Sequence, residues 1–186
     1  MERAIAIIPA KGFSNRLANK NKRIFLGKPM VCWAIDAAKK SKWIDEIYVS
    51  TEDYEIKLIA LGREVNVIDR PLELCEDHIG KQQVVEHAFS VIEDVPEIVC
   101  LLQANSPQVE PEKIDEAIER VVNSSGFVKE CISMNRTSLI TDGAIRVFRS
   151  DCINNTGLGM YLSSVLTDYI DVHTLSDLVD VEEMFY

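Results

Sequence analysis

Four short apolar runs, each followed by a helical pattern, constrain the fold of this chain more than any other feature. The runs are rich in β-branched residues and cover 4–9, 46–50, 65–69 and 97–103. Apolar residues are almost unbroken at the centre of each run, which is typical of strands buried on both faces of a parallel sheet.

Amphipathic stretches separate and follow these runs, and they predict helices over 29–41, 53–62, 81–94 and 110–126. In the last stretch, Pro111 suits the first helical turn, where a proline needs no backbone donor. Strands that alternate with helices through short connections predict a three-layer α/β/α sandwich with a mostly parallel sheet and right-handed crossovers.

The pattern is less regular after residue 126. Two further strands are predicted at 128–135 and 142–150, and a C-terminal helix at 174–185. No linker rich in Pro, Gly or Ser marks a boundary, so we expect one domain over 1–186.

Composition excludes several classes of partner. The net charge of −10 argues against nucleic acid and against an anionic membrane, because both bind broad positive fields. The N-terminal apolar run is too short for a signal peptide, and no stretch is long enough to span a bilayer. The five cysteines are odd in number and form no Cys-x-x-Cys pair. Reduced, buried thiols are therefore expected, and with them a cytoplasmic location.

Positive charge is concentrated near the N-terminus of this acidic chain. Residues 3–35 contain seven Lys or Arg and no Asp or Glu, whereas the other residues contain 13 basic and 30 acidic side chains. Residues 10–21, here called the basic loop, directly follow the first predicted strand. Ligands of open parallel α/β sheets bind outside the carboxyl ends of the strands, so the basic loop lies where a ligand would bind.

The side chains of the basic loop suit a polyphosphate. Gly12 lets the backbone turn and present N–H groups closely, and Ser14 adds a hydroxyl. Lys11, Arg16 and Lys20 can surround several anionic oxygens, which is how proteins stabilise a triphosphate and a leaving pyrophosphate. The plain alternative is a set of solvated surface cations. The absence of acidic residues from this part of the chain favours the phosphate site.

Segments along nearly the whole chain carry a specific resemblance, in the right order. They read "IIPAKGFSNRLANKN", "GKPMVCWAIDAAKKSKWIDEIYVSTED", "RPLELCEDHIGKQQVVEHAF", "LLQANSP", "DGAIRVF" and "YIDVHTLSDL". Together they resemble the sugar-acid cytidylyltransferases, which include the CMP-N-acylneuraminate and CMP-pseudaminic acid synthetases. The related CMP-Kdo synthetases share Ser-x-Arg-Leu and Gly-Lys-Pro-Met, but "LLQANSP" and "VSTED" favour the sialic-type branch.

The resemblance implies a Rossmann-like nucleotidyltransferase sheet and a specific reaction. The family transfers CMP from CTP to the anomeric hydroxyl of a nonulosonic acid and releases pyrophosphate, for surface polysaccharide or glycan biosynthesis. The resemblance implies catalytic roles for Lys11, Arg16 and Lys20. The implied nucleotide-binding residues are Ala10, Gly12, Ser14, Asn21 and Arg70. Gln103 and Ser106 would bind the sugar acid, and Asp171 and His173 would hold Mg²⁺ or Mn²⁺.

The sequence departs from the family pattern at several of these positions. Lys11 replaces an arginine and loses its bidentate fork, Asn15 replaces a lysine, and Asn105 stands where the family often has threonine. His173 replaces the second carboxylate of Asp-x-Asp. Neutral imidazole is a poor Mg²⁺ ligand, so we expect weaker Mg²⁺ binding or a different metal, unless a water separates this residue from the ion.

The section between 126 and 142 is short for the family. In family members this region builds an extension that reaches a partner subunit, so whether this chain forms the homodimer is left open. Without the resemblance, Arg70, Gln103 and Asp171 would be interpreted as surface or strand-end residues. Two alternatives to the leading function are transfer to another acid, such as Kdo or a phosphonate, and nucleotide binding with weakened catalysis.

Overall fold

The computed structural model describes residues 3–76, 78–94, 96–153 and 161–186. The strands are β1 (Ala4–Pro9), β2 (Ile24–Phe25), β3 (Lys28–Pro29), β4 (Ile44–Thr51), β5 (Asn66–Asp69), β6 (Ile98–Leu102), β7 (Glu130–Asn135), β8 (Thr141–Arg149) and β9 (Leu162–Thr167). The α-helices are α1 (Met30–Lys40), α2 (Tyr54–Gly62), α3 (Lys81–Val91), α4 (Pro111–Val122) and α5 (Leu175–Glu183).

Seven of the described strands form one sheet in the order β5-β4-β1-β6-β8-β7-β9. β8 is antiparallel to both of its neighbours, and the other pairings are parallel. β2 and β3 form a separate two-stranded ladder. The predicted α/β architecture with a mostly parallel sheet is therefore confirmed, and β8 is the exception to the parallel order.

Alternate residues of β1 face two different helical layers. Ala4, Ala6 and Ile8 pack in the large core with α1, α2 and α4. Ile5 and Ile7 face the opposite way and pack in a smaller core with α3. The near-continuous apolar run of β1 thus reflects burial on both faces of the sheet.

A third apolar cluster fixes the basic loop and the C-terminal helix to each other. It contains Leu17 from the loop, Phe25, Met30, and Val172 and Val181 from the C-terminal part of the chain. Because Leu17 is almost fully buried, the basic loop is anchored at its centre while the flanking polar side chains stay accessible.

Some elements differ from the sequence prediction. α3 ends at Val91, three residues before the predicted end. β9 and the β2–β3 ladder were not predicted. Four of the five cysteines are buried and all five are free, as expected, while Cys75 is half-buried. Within the described residues, no helix has the length and apolarity needed to cross a membrane.

Candidate functional site

A cavity of about 420 Å³ opens at the carboxyl ends of β1, β5 and β6. The chain segments that follow these strands provide most of its wall, and residues at the start of α3 also line it. Its lining residues are Pro9, Lys11, Ser14, Asn15, Arg16, Lys20, Asn21, Arg70, Leu74, Cys75, Glu76, Ile79, Lys81, Val84, Gln103 and Asn105. This is the sheet edge at which ligands of open parallel α/β folds bind.

The basic loop is tightly packed where it turns at Gly12. The backbone N–H of Gly12 donates to Glu52 Oε1 at 2.7 Å. A Cβ atom at this position would lie 2.3 Å from Asp53 Oδ2, closer than any side chain can come without displacing the carboxylate. Glycine is therefore required here by close approach.

Asp53 connects Lys22, directly after the basic loop, to the β4–α2 junction. Its Oδ1 accepts from the Ile56 backbone N–H at 3.0 Å, which makes it the N-cap of α2. Its Oδ2 accepts from Lys22 Nζ at 2.9 Å. Burial by itself raises the pKa of Asp53, but the contacts with Ile56 and Lys22 outweigh it and lower the pKa below its ordinary value.

Arg70 is held in the cavity wall by backbone and hydroxyl oxygens. Its Nη2 donates to Ser50 O at 2.5 Å and its Nε to Ser50 Oγ at 3.2 Å. Only 7% of the residue is exposed, and burial lowers the pKa of the guanidinium. Within the described residues no carboxylate pairs with it at ion-pair distance. Glu52 is near enough to favour the charge of Arg70 but does not pair with it directly, so the guanidinium can receive an anionic ligand.

Asp171 and His173, on either side of Val172, form a polar cluster beside the cavity with Asn105, which follows β6. His173 Nε2 lies 2.9 Å from Asp171 Oδ2, and His173 Nδ1 lies 3.3 Å from Lys20 Nζ. Asn105 Nδ2 donates to the other Asp171 oxygen and to Val172 O. The C-terminal segment that carries Asp171 is thus attached to the end of β6 and to the basic loop.

The charge balance of this cluster favours an added anion. Desolvation lowers the pKa of Lys20 to about 8, Asp171 opposes the shift, and Arg16, Lys11 and Lys81 reinforce it. Desolvation also lowers the pKa of His173. The cations thus destabilise one another in the absence of ligand, and phosphate oxygens would relieve this repulsion.

Seven residues singled out in the sequence line the cavity together: Lys11, Ser14, Arg16, Lys20, Asn21, Arg70 and Gln103. Asp171 and His173 lie next to them through the contact with Lys20. Ala10, Gly12 and Ser106 are buried behind the wall. Ser106 is 1% exposed, and its hydroxyl has no hydrogen-bond partner within the described residues.

Lys81 is a cationic cavity residue that the sequence reasoning missed. It is the first residue of α3 and lines the same cavity as the basic loop. The signal in the sequence was its position at the start of a predicted helix, because helices of such folds begin or end near the carboxyl edge of the sheet.

Comparison with known proteins gives consistent results. A family model described as cytidylyltransferase matches residues 5–183. The pseudaminic acid cytidylyltransferase of Campylobacter jejuni is 33% identical over 130 residues, which cover 67% of this chain and 56% of that protein. The N-acylneuraminate cytidylyltransferase of Streptococcus agalactiae is 38% identical over 117 residues, covering 62% of this chain and 28% of that protein. The chain therefore spans about half or less of the length of these relatives.

Solved structures show the same fold at low sequence identity. A CMP:2-keto-3-deoxy-manno-octonic acid synthetase in complex with CTP superposes with a TM-score of 0.82 at 16% identity, covering 98% of both chains. A cytidylyltransferase from Leptospira borgpetersenii superposes with a TM-score of 0.74 at 13% identity, covering 100% of this chain and 88% of that one. On the family match along almost its whole length, this chain belongs to the cytidylyltransferase family.

Proposed function

We propose that this chain transfers CMP from CTP to the anomeric hydroxyl of a sialic-like nonulosonic acid and releases pyrophosphate. One observation carries the proposal. In a member of the cytidylyltransferase family, Lys11, Arg16 and Lys20 of the basic loop line one cavity, and Asp171 lies beside Lys20. The named relatives act on pseudaminic acid and N-acylneuraminate, which supports a sugar acid as the acceptor.

The three cations supply charge neutralisation for the reaction. In-line attack of the sugar hydroxyl on the α-phosphorus displaces pyrophosphate, and negative charge builds on the leaving oxygens. Lys11, Arg16 and Lys20 would stabilise that charge through preorganised contacts. Catalysis would then depend mostly on positioning, because the protein has little covalent chemistry to perform.

We assign Asn21, Ser14 and Arg70 to further contacts with the nucleotide. Asn21 Nδ2 donates to Lys11 O at 2.9 Å, whereas its Oδ1 is buried and has no partner within the described residues. That oxygen could accept from a ribose hydroxyl. Arg70 offers a desolvated guanidinium, and Ser14 a hydroxyl, to the same ligand.

Asp171 is the residue best suited to hold Mg²⁺. Mg²⁺ keeps several waters and commonly uses one or two carboxylates together with substrate phosphates, so one carboxylate beside a phosphate site fits its chemistry. No group of three or more His, Cys, Asp or Glu side chains gathers to hold a metal in the described part of the chain. When bound, the ion would neutralise phosphate charge.

Gln103 would contact the acceptor acid from the end of β6. It is 9% exposed and lines the cavity, and its backbone N–H is fixed by Ala144 O at 3.0 Å. Ser106 follows in the same turn but is buried and does not line the cavity. For Ser106 to touch the acid, the turn from 103 to 106 would have to open.

A second candidate function is nucleotide binding without efficient transfer, and one contact favours it. Both oxygens of Asp171 are already engaged, one by Asn105 and the other by His173. A metal ion would have to displace one of these partners, which would weaken metal binding and with it the transfer step.

Pyrophosphate release and calorimetry separate the two candidates. CTP is supplied with N-acetylneuraminic acid, pseudaminic acid, legionaminic acid and Kdo in turn, and pyrophosphate is measured. Release with one of the nonulosonic acids supports transfer, whereas CTP binding without release with any acid supports the second candidate. Because the family is cytidine-specific, CTP should bind more tightly than ATP or GTP. Equal affinities for the three nucleotides would contradict the assignment to CTP, because the pocket would then recognise phosphate alone.

A further inference from the structure

Lys81 is a cation of the cavity to which no role has yet been assigned. It begins α3 and lines the cavity together with side chains of the basic loop. Although the side chain is exposed to the solvent of the cavity, surrounding protein atoms desolvate its ammonium enough to lower its pKa. Within the described residues, the ammonium has no hydrogen bond and no ion pair at salt-bridge distance.

The charged groups around Lys81 leave its charge uncompensated. Asp171 attracts it, while Arg146 on β8 repels it. Arg146 is itself paired, because its Nε lies 2.5 Å from Glu130 Oε1 and its Nη1 donates to Gln82 Oε1 at 3.3 Å. Lys81 therefore differs from Arg146 in having no fixed acidic neighbour.

Gly143 has no side chain, and this leaves room for the ammonium of Lys81. A Cβ atom added at Gly143 would lie 3.3 Å from Lys81 Nζ, so the ammonium occupies space that a side chain at this position would crowd. The backbone of Gly143 is also in the left-handed region, with φ at +74°, where glycine carries no steric penalty. The backbone conformation thus favours glycine where Lys81 approaches β8, and the absence of a side chain leaves room for the ammonium.

Lys81 belongs to the acceptor end of the cavity. Gln103, the proposed contact to the acid, donates its backbone N–H to Ala144 O at 3.0 Å. Ala144 is the neighbour of Gly143, so Gln103, Gly143 and Lys81 lie around the same part of β8. Lys11, Arg16 and Lys20 of the basic loop already supply cations for the nucleotide phosphates in the proposed reaction.

We propose that Lys81, lodged against Gly143, binds the carboxylate of the acceptor sugar acid and so orients the hydroxyl that attacks CTP. In a 2-keto sugar acid, the carboxylate and the anomeric hydroxyl are attached to the same carbon, so fixing one positions the other. The start of α3 adds a favourable helix dipole for an anion. This inference rests on the proposed function, because it assigns a contact to the same acceptor.

The test compares two lysines of the cavity, one on α3 and one in the basic loop. The variants Lys81→Met and Lys20→Met remove one charge each and keep an unbranched side chain. The protein is saturated with α,β-methylene-CTP, which cannot release pyrophosphate, and the dissociation constants of N-acetylneuraminic acid, pseudaminic acid and Kdo are measured by calorimetry. Affinity for CTP alone is measured separately.

We expect K81M to weaken binding of the accepted acid by at least about tenfold, as loss of a charge-assisted hydrogen bond implies, while CTP affinity changes by less than about twofold. K20M should show the opposite pattern. The variant Lys81→Arg, which keeps the charge, should recover most of the acid affinity. The amide of the same acid should bind the parent weakly, and should distinguish poorly between the parent and K81M.

Three results would overturn the inference. An unchanged acid affinity in K81M would make Lys81 a solvated surface lysine, a larger loss for CTP would assign it to the phosphates, and failure of all three acids to bind the parent would remove the subsite. If the parent releases pyrophosphate while K81M binds acid normally, the inference fails and the proposed function stands. If acid binding depends on Lys81 but no acid supports release, the function fails and the subsite stands.

Gly143→Ala provides a second route to the same contact. The added methyl group should push the ammonium of Lys81 away and weaken acid binding, although its strained backbone also lowers stability. In the K81M background the same substitution should have little further effect on acid affinity, because the contact is already absent. Equal effects of G143A in both backgrounds would contradict the coupling of these two residues.

Discussion

His173 Nε2 lies 2.9 Å from Asp171 Oδ2, and the opposite ring nitrogen of His173 lies 3.3 Å from Lys20 Nζ. The imidazole therefore stands between the carboxylate proposed to hold the metal and a lysine proposed to bind phosphate. Where the family pattern has a second carboxylate, this chain has a neutral side chain that already uses one oxygen of Asp171.

Replacing His173 by Asp should lower the Mg²⁺ concentration needed for activity, because a second carboxylate is a hard ligand and frees the oxygen that the imidazole occupies. In the parent, activity should require a divalent ion, and Mn²⁺ should replace Mg²⁺ well, since imidazole suits it better. The measurement is pyrophosphate release titrated with each metal. His173→Asn is the control that removes the ring without adding charge. An unchanged metal dependence in H173D would place residue 173 outside the coordination sphere.

Replacing Lys20 by Ala should reduce CTP affinity or turnover at least tenfold, since a charge-assisted phosphate contact is worth roughly 1.5–3 kcal/mol. Isothermal calorimetry with CTP measures the loss, and circular dichroism checks that the fold persists. Lys42→Ala is the matched control, because the Lys42 side chain is 65% exposed and pairs with Glu119 on the surface. Identical CTP titrations for the parent and K20A would return Lys20 to the class of solvated surface lysines.

Replacing Gly12 by Ala should destabilise the protein, because the new methyl group would lie 2.3 Å from Asp53 Oδ2 and displace the N-cap of α2. Loss of such a cap costs about 0.5–2 kcal/mol in free energy of unfolding. Urea denaturation measures the change.

Gly62→Ala is the control for this prediction, because no atom lies within 4 Å of its added Cβ and it lies in a helix. That variant should be neutral or more stable by up to about 1 kcal/mol. Equal stability of G12A and the parent would show that the Asp53 carboxylate can move away from the new methyl group at no cost in stability.

The charge of Asp53 should stabilise the fold in a pH-dependent way. Its pKa in the folded chain is below its ordinary value of 3.8, so its contribution is complete above that value and is lost as the pH falls through the folded pKa. Asp53→Asn keeps the shape and can still cap the helix. The difference in unfolding free energy between parent and D53N should therefore be largest near neutral pH and shrink below about pH 4. A difference that is constant from about pH 3 to about pH 7 would contradict this.

The first half of the fold could be predicted because its signals are local. β1 is an apolar run buried on both faces, and Pro29 directly precedes the first residue of α1. β9 could not be predicted in the same way. It is an edge strand with Leu162 and Leu166 exposed, and it gains its place by pairing with β7, which is distant in the sequence. The position of β8 between β6 and β7 likewise depends on long-range pairing.

The residues of the candidate site also fall into those that a local sequence signal predicts and those that depend on long-range contacts. The cations of the basic loop could be singled out because they follow a strand within one segment that lacks acidic residues. Lys81 could not be distinguished from an ordinary surface lysine, because its partner Gly143 is 62 positions away in the printed sequence. The burial of Ser106 could not be predicted either, because the sequence motif around it does not show whether its side chain faces the cavity or the interior.

The contact between Lys20 and His173 joins residues 153 positions apart. A nascent chain that has emerged only as far as β6 already contains the basic loop and Arg70, but not the segment that closes the site around them. Its cations would lie together without Asp171 to moderate their repulsion. If the proposed function is correct, competence to hold a nucleotide therefore arises only when the segment after β9 docks against the end of β6, and contacts of such long range are among the slow steps of folding.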